Sequence, residues 1–182
     1  MSVTQTLVPV GTWNVDTTHT VVEFGIKHLM ITTVKGQFTE LEGSFTTAQD
    51  GTVTAEGKVE TASVNTNEPK RDEHLRSADF FDAEHYPEIT FTSTGVDHVD
   101  GNNFIVHGDL TIRGVTRPFD WDTRVAGVVN DPWGNERVGL ELRGTVNPSD
   151  FGVDWNAELE SGGNLVGDKA DLTVNVEAVK QK

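Results

Sequence analysis

Residues 104–113, FIVHGDLTIR, separate apolar from polar side chains along an extended chain. Because successive side chains of a strand point to opposite faces, this pattern predicts a strand with one buried and one wet face. Such strands are typical of an antiparallel sheet. The buried face would carry Phe104, Val106, Gly108, Leu110 and Ile112, and the wet face His107, Asp109, Thr111 and Arg113.

The same alternation recurs over residues 22–30, 138–146 and 170–178, and Asp-Gly and Gly-Asn pairs supply turns between such segments. The chain is therefore predicted to be all-β, with about eight to ten strands in a sandwich or a barrel. Glycines within long strands, over residues 19–30 and 103–113 for example, favour a barrel, because glycine accommodates bends and bulges.

Composition limits the kinds of partner. The chain has 182 residues, with 14 Lys and Arg against 29 Asp and Glu, a net charge of −15. This balance argues against nucleic acid and against a polybasic attachment to anionic membranes. Cysteine is absent, which excludes disulfides and thiolate catalysis.

The length suits a single domain over residues 1–182, and we expect residues 1–10 to be a flexible N-terminal segment. The longest apolar runs, such as Leu29–Ile31, are far too short for an integral membrane segment. The N-terminus shows neither a basic region nor an apolar core of a signal peptide, so a cytoplasmic location is predicted.

One segment, residues 68–86, interrupts the alternation. Pro69 is tolerated in a first helical turn, and the preceding Asn65, Thr66 and Asn67 are all of residue types that favour the N-cap position. The pattern predicts a short helix over residues 68–76, followed by Phe80 and Phe81. We expect this segment to form a short helical cap across one opening of a barrel.

The predicted cap carries a dense basic cluster, Lys70, Arg71 and Arg76, with Asp72 and His74 between them. One interpretation is a solvated helix face with ordinary surface ion pairs. The other is a site for the head group of a ligand, where guanidinium and imidazole meet an anionic or polar group.

Four segments of this chain together resemble the signature of the YceI-like polyisoprenoid-binding proteins. They are residues 16–38 (DTTHTVVEFGIKHLMITTVKGQF), 71–93 (RDEHLRSADFFDAEHYPEITFTS), 108–119 (GDLTIRGVTRPF) and 150–156 (DFGVDWN). The resemblance implies an extended, antiparallel, lipocalin-like β-barrel. Its apolar channel would hold a long-chain isoprenoid, an isoprenoid quinone or a similar amphiphilic lipid.

On this hypothesis the channel residues are aromatic or aliphatic, and the head group meets polar residues of the cap and the first long strand. The alternative is that the same side chains fill a solid core. The predicted channel residues are Phe24, Ile26, Met30, Phe38, Phe80, Phe81, Phe91, Phe104 and Trp121. The predicted head-group residues are His28, Arg71, Asp72 and His74.

Two other functions remain open. An enzyme could use the region of His28 and His74, with His85 completing a zinc site, but no metalloprotease, phosphate-loop or nucleophile motif is present. A ligand-free interaction scaffold would instead have a filled barrel. We predict a lipid-binding protein with no catalytic residues, no metal site and no cofactor other than the bound lipid. A ligand longer than one small barrel would favour a homodimer.

Overall fold

The computed structural model describes residues 7–156 and 165–182. Within these ranges it contains one α-helix, α1 (Pro69–Arg76), and 3₁₀ turns at Thr61–Ser63 and Pro148–Phe151. The strands in chain order are β1 (Gly11–Val15), β2 (Val21–His28), β3 (Thr32–Phe38), β4 (Leu41–Thr47), β5 (Val53–Glu60), β6 (Val64–Asn65), β7 (Glu88–Asp100), β8 (Asn103–Ile112), β9 (Val115–Asn130), β10 (Glu136–Val146) and β11 (Val166–Lys180).

Eight strands close into an antiparallel barrel in the order β1-β4-β5-β7-β8-β9-β10-β11, and β11 pairs back onto β1. The remaining strands β2, β3 and β6 continue the sheet from β11. The predicted lipocalin-like barrel is thus confirmed, although eleven strands exceed the eight to ten expected. The excess arises because the chain breaks between β1 and β2, so the long β11 pairs with both in succession.

A group that we call the Trp13 cluster fills one end of the barrel. Trp13 is fully buried, stacks on Phe45 and donates its indole N–H to the carbonyl of Pro9 at 3.2 Å. Val8 is buried in the same cluster, so this part of the predicted flexible segment packs on the core, while residues 1–6 lie outside the described residues. The buried members are Val8, Trp13, Phe104, Val125, Val138 and Ala178.

The helical cap is present, and α1 nearly matches the predicted range of residues 68–76. Its N-cap is Glu68, whose carboxylate accepts from the backbone N–H of Arg71, with Pro69 in the first turn. Leu75 packs, together with Phe81, against the buried side chains of Phe38 and Val64. The cap therefore fills the space beside β3 and β6.

None of the helices within the described residues has both the length and the apolar character that a bilayer crossing needs.

Candidate ligand-binding cavity

The barrel encloses a cavity of about 770 Å³. Nearly every strand contributes aliphatic or aromatic side chains to its wall, and this volume lies within the range of small-molecule sites. Representative wall residues are Val22, Leu41, Ile89, Val106, Leu110, Leu140, Leu142, Leu172, Val174 and Val176.

Close contacts between phenylalanine and glycine help to keep this space open. The ring of Phe24 on β2 lies over Gly36 on β3, and the ring of Phe91 on β7 lies over Gly108 on β8. A Cβ atom at either glycine would collide with the ring. Because each ring rests on the neighbouring strand, it extends less far across the lumen.

The structure places eight of the nine predicted channel residues at the cavity wall, and their contact with a ligand stays a prediction. They are Phe24, Ile26, Phe38, Phe80, Phe81, Phe91, Phe104 and Trp121. Met30 is the exception, because β2 ends at His28 and the chain turns there. Its side chain is 53% exposed and lies outside the cavity, so its assignment to the channel is corrected.

Polar and charged side chains line the cavity near α1, and we call this region the α1 end. His28, Lys70, Arg71 and His74 all line it. His28 pairs in register with Val166 on β11, and Val166 exchanges two hydrogen bonds, of 2.7 and 3.0 Å, with the side-chain amide of Asn156. These contacts connect β2 to the segment that faces α1.

The hydroxyl of Thr66 connects α1 to the adjoining loop. Arg71 donates from Nε to Thr66 Oγ1 at 2.7 Å and from Nη2 to the Thr66 carbonyl at 2.8 Å. Asp72 accepts from the backbone N–H of Thr66 at 2.8 Å and from its hydroxyl at 2.6 Å. Asp72 is therefore buried on the side of α1 that contacts Thr66, and it does not line the cavity. Its assignment to the head-group site is corrected.

Trp155 is a cavity residue that sequence reasoning missed. Its ring lies 4.9 Å from the imidazole of His74 and 5.3 Å from the ring of Phe80, between centroids. His74 in turn contacts Asp79 through Nε2 at 2.8 Å. The only available signal was the late DFGVDWN motif, which holds the tryptophan but does not say where it packs.

A second polar cluster lies on the outside of the barrel near the Trp13 cluster. Asp16, His19 and Glu177 bring three potential metal-ligand atoms within 4.8 Å of one another. The guanidinium of Arg137 already contacts Asp16 at 2.8 Å and Glu177 at 3.5 Å. Bonds from His19, Thr18 and Arg137 hold the pKa of Asp16 well below its usual range, and Asp16 raises the pKa of His19. The cluster therefore acts as an ion-pair network.

The three histidines of the alternative zinc site do not lie together. His28 and His74 both line the cavity, whereas His85 pairs with Asp82 at 2.9 Å and lies outside the cavity wall. In the ranges 7–156 and 165–182, none of these three histidines belongs to a group of three potential metal ligands.

A closed antiparallel barrel around an apolar cavity, with a short helix at one end, defines a lipocalin-like β-barrel protein. A family model described as a YceI-like domain matches residues 13–178. The chain belongs to the YceI-like family.

Relatives and solved structures agree with this membership. Protein YceI of Escherichia coli is 38% identical over 166 residues, covering 90% of this chain and 83% of that protein. The crystal structure of Campylobacter jejuni YCEI protein is 31% identical, with a TM-score of 0.70 over 86% of this chain and 91% of that one. A Saccharophagus degradans structure, described as a polyisoprenoid binding domain, has a TM-score of 0.71 at 16% identity, over 93% of this chain and 98% of that one.

Proposed function

We propose that this protein binds a long-chain isoprenoid, an isoprenoid quinone or a similar amphiphilic lipid inside the barrel, as a carrier, store or sensor. The apolar cavity of about 770 Å³ carries the proposal. The structurally similar domain from Saccharophagus degradans, described as polyisoprenoid-binding, supports the ligand class.

The wall determines which part of the ligand provides affinity. Each CH₂ group removed from water favours binding by about 0.8 kcal/mol, before the costs of association. An exposed ion pair at the head contributes only about 0.2–1 kcal/mol. The tail therefore provides most of the affinity and the head provides selectivity.

The α1 end supplies groups suited to that selectivity. Within the described ranges, neither Lys70 nor Arg71 has a carboxylate partner within ion-pair distance, and Thr66 holds the Arg71 guanidinium on one side. His28 and His74 add imidazole nitrogens to the same lining. These groups would meet the polar head of the ligand.

The primary test is organic extraction of the purified protein, followed by mass spectrometry. We expect an amphiphilic lipid with a long apolar chain. In Phe91→Asp the new carboxylate would face an apolar cavity, where an unpaired charge is costly, so the folded variant should lose its lipid. The control is Thr94→Asp on the exposed face of the same strand.

Three results would overturn the proposal. They are an empty extract combined with no uptake of added prenyl lipid or quinone, lipid retention by folded Phe91→Asp at the wild-type level, and a stoichiometric transition metal in place of lipid. Lipid retention by folded Phe91→Asp would show that the cavity is not the lipid-binding site. A stoichiometric transition metal would favour the alternative that the protein is an enzyme.

The head-group role has its own test. Arg71→Ala should weaken the binding of prenyl lipids with charged heads more than that of neutral prenyl alcohols, measured by competition for the same cavity. Equal losses for both classes would contradict a head-group role for Arg71.

A further inference from the structure

We propose that the β2–β3 hairpin tip, Leu29–Ile31, inserts into the surface of an anionic lipid bilayer and places the α1 end of the cavity against it. This inference rests on the proposed lipid-binding function and names the surface with which the lipid would be exchanged.

The hairpin tip exposes three consecutive apolar side chains. Leu29 is 37% exposed, Met30 53% and Ile31 75%. The turn is tight, because the backbone N–H of Ile31 donates to the carbonyl of His28 at 3.1 Å. Loop tips of ordinary globular proteins are polar, so the requirements of folding do not explain why this tip is apolar.

The backbone at the tip makes these residue types costly. Leu29 and Met30 both have positive φ, +53° and +61°, the combination required at the two central residues of a type I′ turn. Asparagine and glycine adopt this geometry readily, whereas bulky side chains are strained there. Neither turn stability nor solubility favours Leu-Met at these positions, whereas contact with an apolar phase does.

The charge of the hairpin fits an anionic surface. Residues 24–39 contain Lys27, Lys35 and His28 but no carboxylate, in a chain with 29 acidic residues. Both lysines are exposed. Asp154 also lines the cavity, as does Asp168, which lies beside β2 because the preceding Gly167 packs against Lys27. The lysines of the hairpin and the basic residues Lys70 and Arg71 of α1 are the cationic groups at this end. Apolar insertion combined with nearby lysines is the usual chemistry of interfacial attachment.

The hairpin tip is directly connected to the cavity. His28, the last residue of β2, lines it, and the backbone N–H of Leu29 donates to the carbonyl of Leu165, another lining residue, at 2.8 Å. On the other strand, Gly36 follows Lys35 and lies against Thr66, which binds Arg71. An inserted tip would therefore bring the α1 end to the headgroup layer.

The test is flotation of the full-length protein with vesicles of phosphatidylcholine alone, or of phosphatidylcholine and phosphatidylglycerol in equal parts. The main variant is Leu29→Asn with Met30→Gly, which removes the apolar side chains but supplies residues that favour the turn. We expect vesicle binding to fall about tenfold or more, while the thermal unfolding midpoint stays level or rises.

A matched control comes from the opposite end of the barrel. Met30→Ser with Ile31→Ser is compared with Val129→Ser with Trp133→Ser, since the control residues are similarly exposed, at 63% and 77%. Only the hairpin pair should lose binding. Lys27→Gln with Lys35→Gln should reduce binding to the phosphatidylglycerol vesicles and leave binding to neutral vesicles unchanged.

The outcomes separate this inference from the proposed function. Failure of the wild type to bind either vesicle, an unchanged level of binding in the hairpin variants, or an equal loss in the Val129 and Trp133 control would overturn the docking surface. Lipid extracted from the same preparations reports on the cavity independently. If lipid is retained while docking fails, only this inference falls.

Discussion

The two ends of the barrel have walls of the same alternating pattern but differ in what lies between them. At one end Trp13 and Ala178 are fully buried, and the Trp13 cluster closes the cavity there through Val8, Phe104 and Val125. At the other, Phe24, Phe81 and Leu172 are only partly buried and surround the cavity. A single strand, β11, supplies Ala178 to the first end and Leu172 to the second, so alternation alone does not decide which end is filled.

The difference is produced by a few large side chains. Trp13 has a partner for its ring in Phe45 and for its N–H in Pro9, which satisfies a buried donor at the packed end. In the cavity half, Phe24 and Phe91 rest on glycines of neighbouring strands. Stability and ligand binding should therefore depend on different ends.

The largest effect is expected for Trp13→Ala. Removing this fully buried ring should lower the free energy of unfolding by about 3–5 kcal/mol, measured by urea denaturation. Phe24→Ala should cost less stability, because its ring already borders a cavity, but should reduce lipid retention. Equal losses of stability in the two variants would contradict the division between the ends.

Gly108→Ala tests the phenylalanine contact that keeps the lumen open. The new Cβ would collide with the ring of Phe91 and with the backbone carbonyl of Thr92, so the unfolding free energy should fall by about 3 kcal/mol. The displaced ring should also reduce the lipid content.

The control for that experiment is Gly95→Ala on the paired strand β7, where an added Cβ meets nothing within 4 Å. Its stability should stay within about 0.5 kcal/mol of the wild type. A harmless Gly108→Ala would show that the ring has room to move, and that the contact does not shape the lumen.

Asp72→Ala tests how the cap is anchored at the α1 end. The buried N–H and hydroxyl of Thr66 would lose their acceptor, which should cost about 1.5 kcal/mol and speed lipid release. Asp72→Asn keeps an acceptor oxygen and should lose less, and Glu73→Ala on the exposed face of α1 should have little effect. Unchanged lipid release in Asp72→Ala would show that the cap does not retain the ligand.

Much of the barrel wall was predictable because local rules and tertiary structure agree. The alternation in β8 follows burial, with Phe104, Leu110 and Ile112 all buried. The cap was likewise readable from Pro69, because proline in a first helical turn is a local signal.

The positions of Met30, Asp72 and Trp155 could not be predicted from local patterns, because they depend on where the chain turns and on tertiary contacts. Parity extended β2 to Met30, but the strand ends in a turn whose two central residues, Leu29 and Met30, are not turn formers. Asp72 was predicted to meet a ligand head group, whereas in the structure it accepts hydrogen bonds from the backbone and hydroxyl of Thr66. Trp155 reaches His74 only through the folding of a long connection.

The smallest expected effect concerns the ion-pair network beside the Trp13 cluster. The hydrogen bond and charge of Asp16, with Glu177, raise the pKa of His19 above its ordinary value of about 6.5. The stabilising contribution is therefore fully present below about pH 6.5 and is lost as the pH rises through the higher folded-state pKa. In His19→Gln the fall in unfolding free energy between mildly acidic and mildly alkaline pH should be smaller, as measured by urea denaturation.

Part of the pH dependence should persist in that variant, because neighbouring aspartates also raise the pKa values of His85 and His107. His98→Gln is the control, since the ring of His98 contacts the carbonyl of Gly101 at 3.0 Å and not a carboxylate. The lipid content of folded His19→Gln should match the wild type, because the network braces the packed end and does not line the cavity. An unaltered pH slope in His19→Gln, or a loss of lipid, would break the separation between the end that stabilises the barrel and the end that holds the ligand.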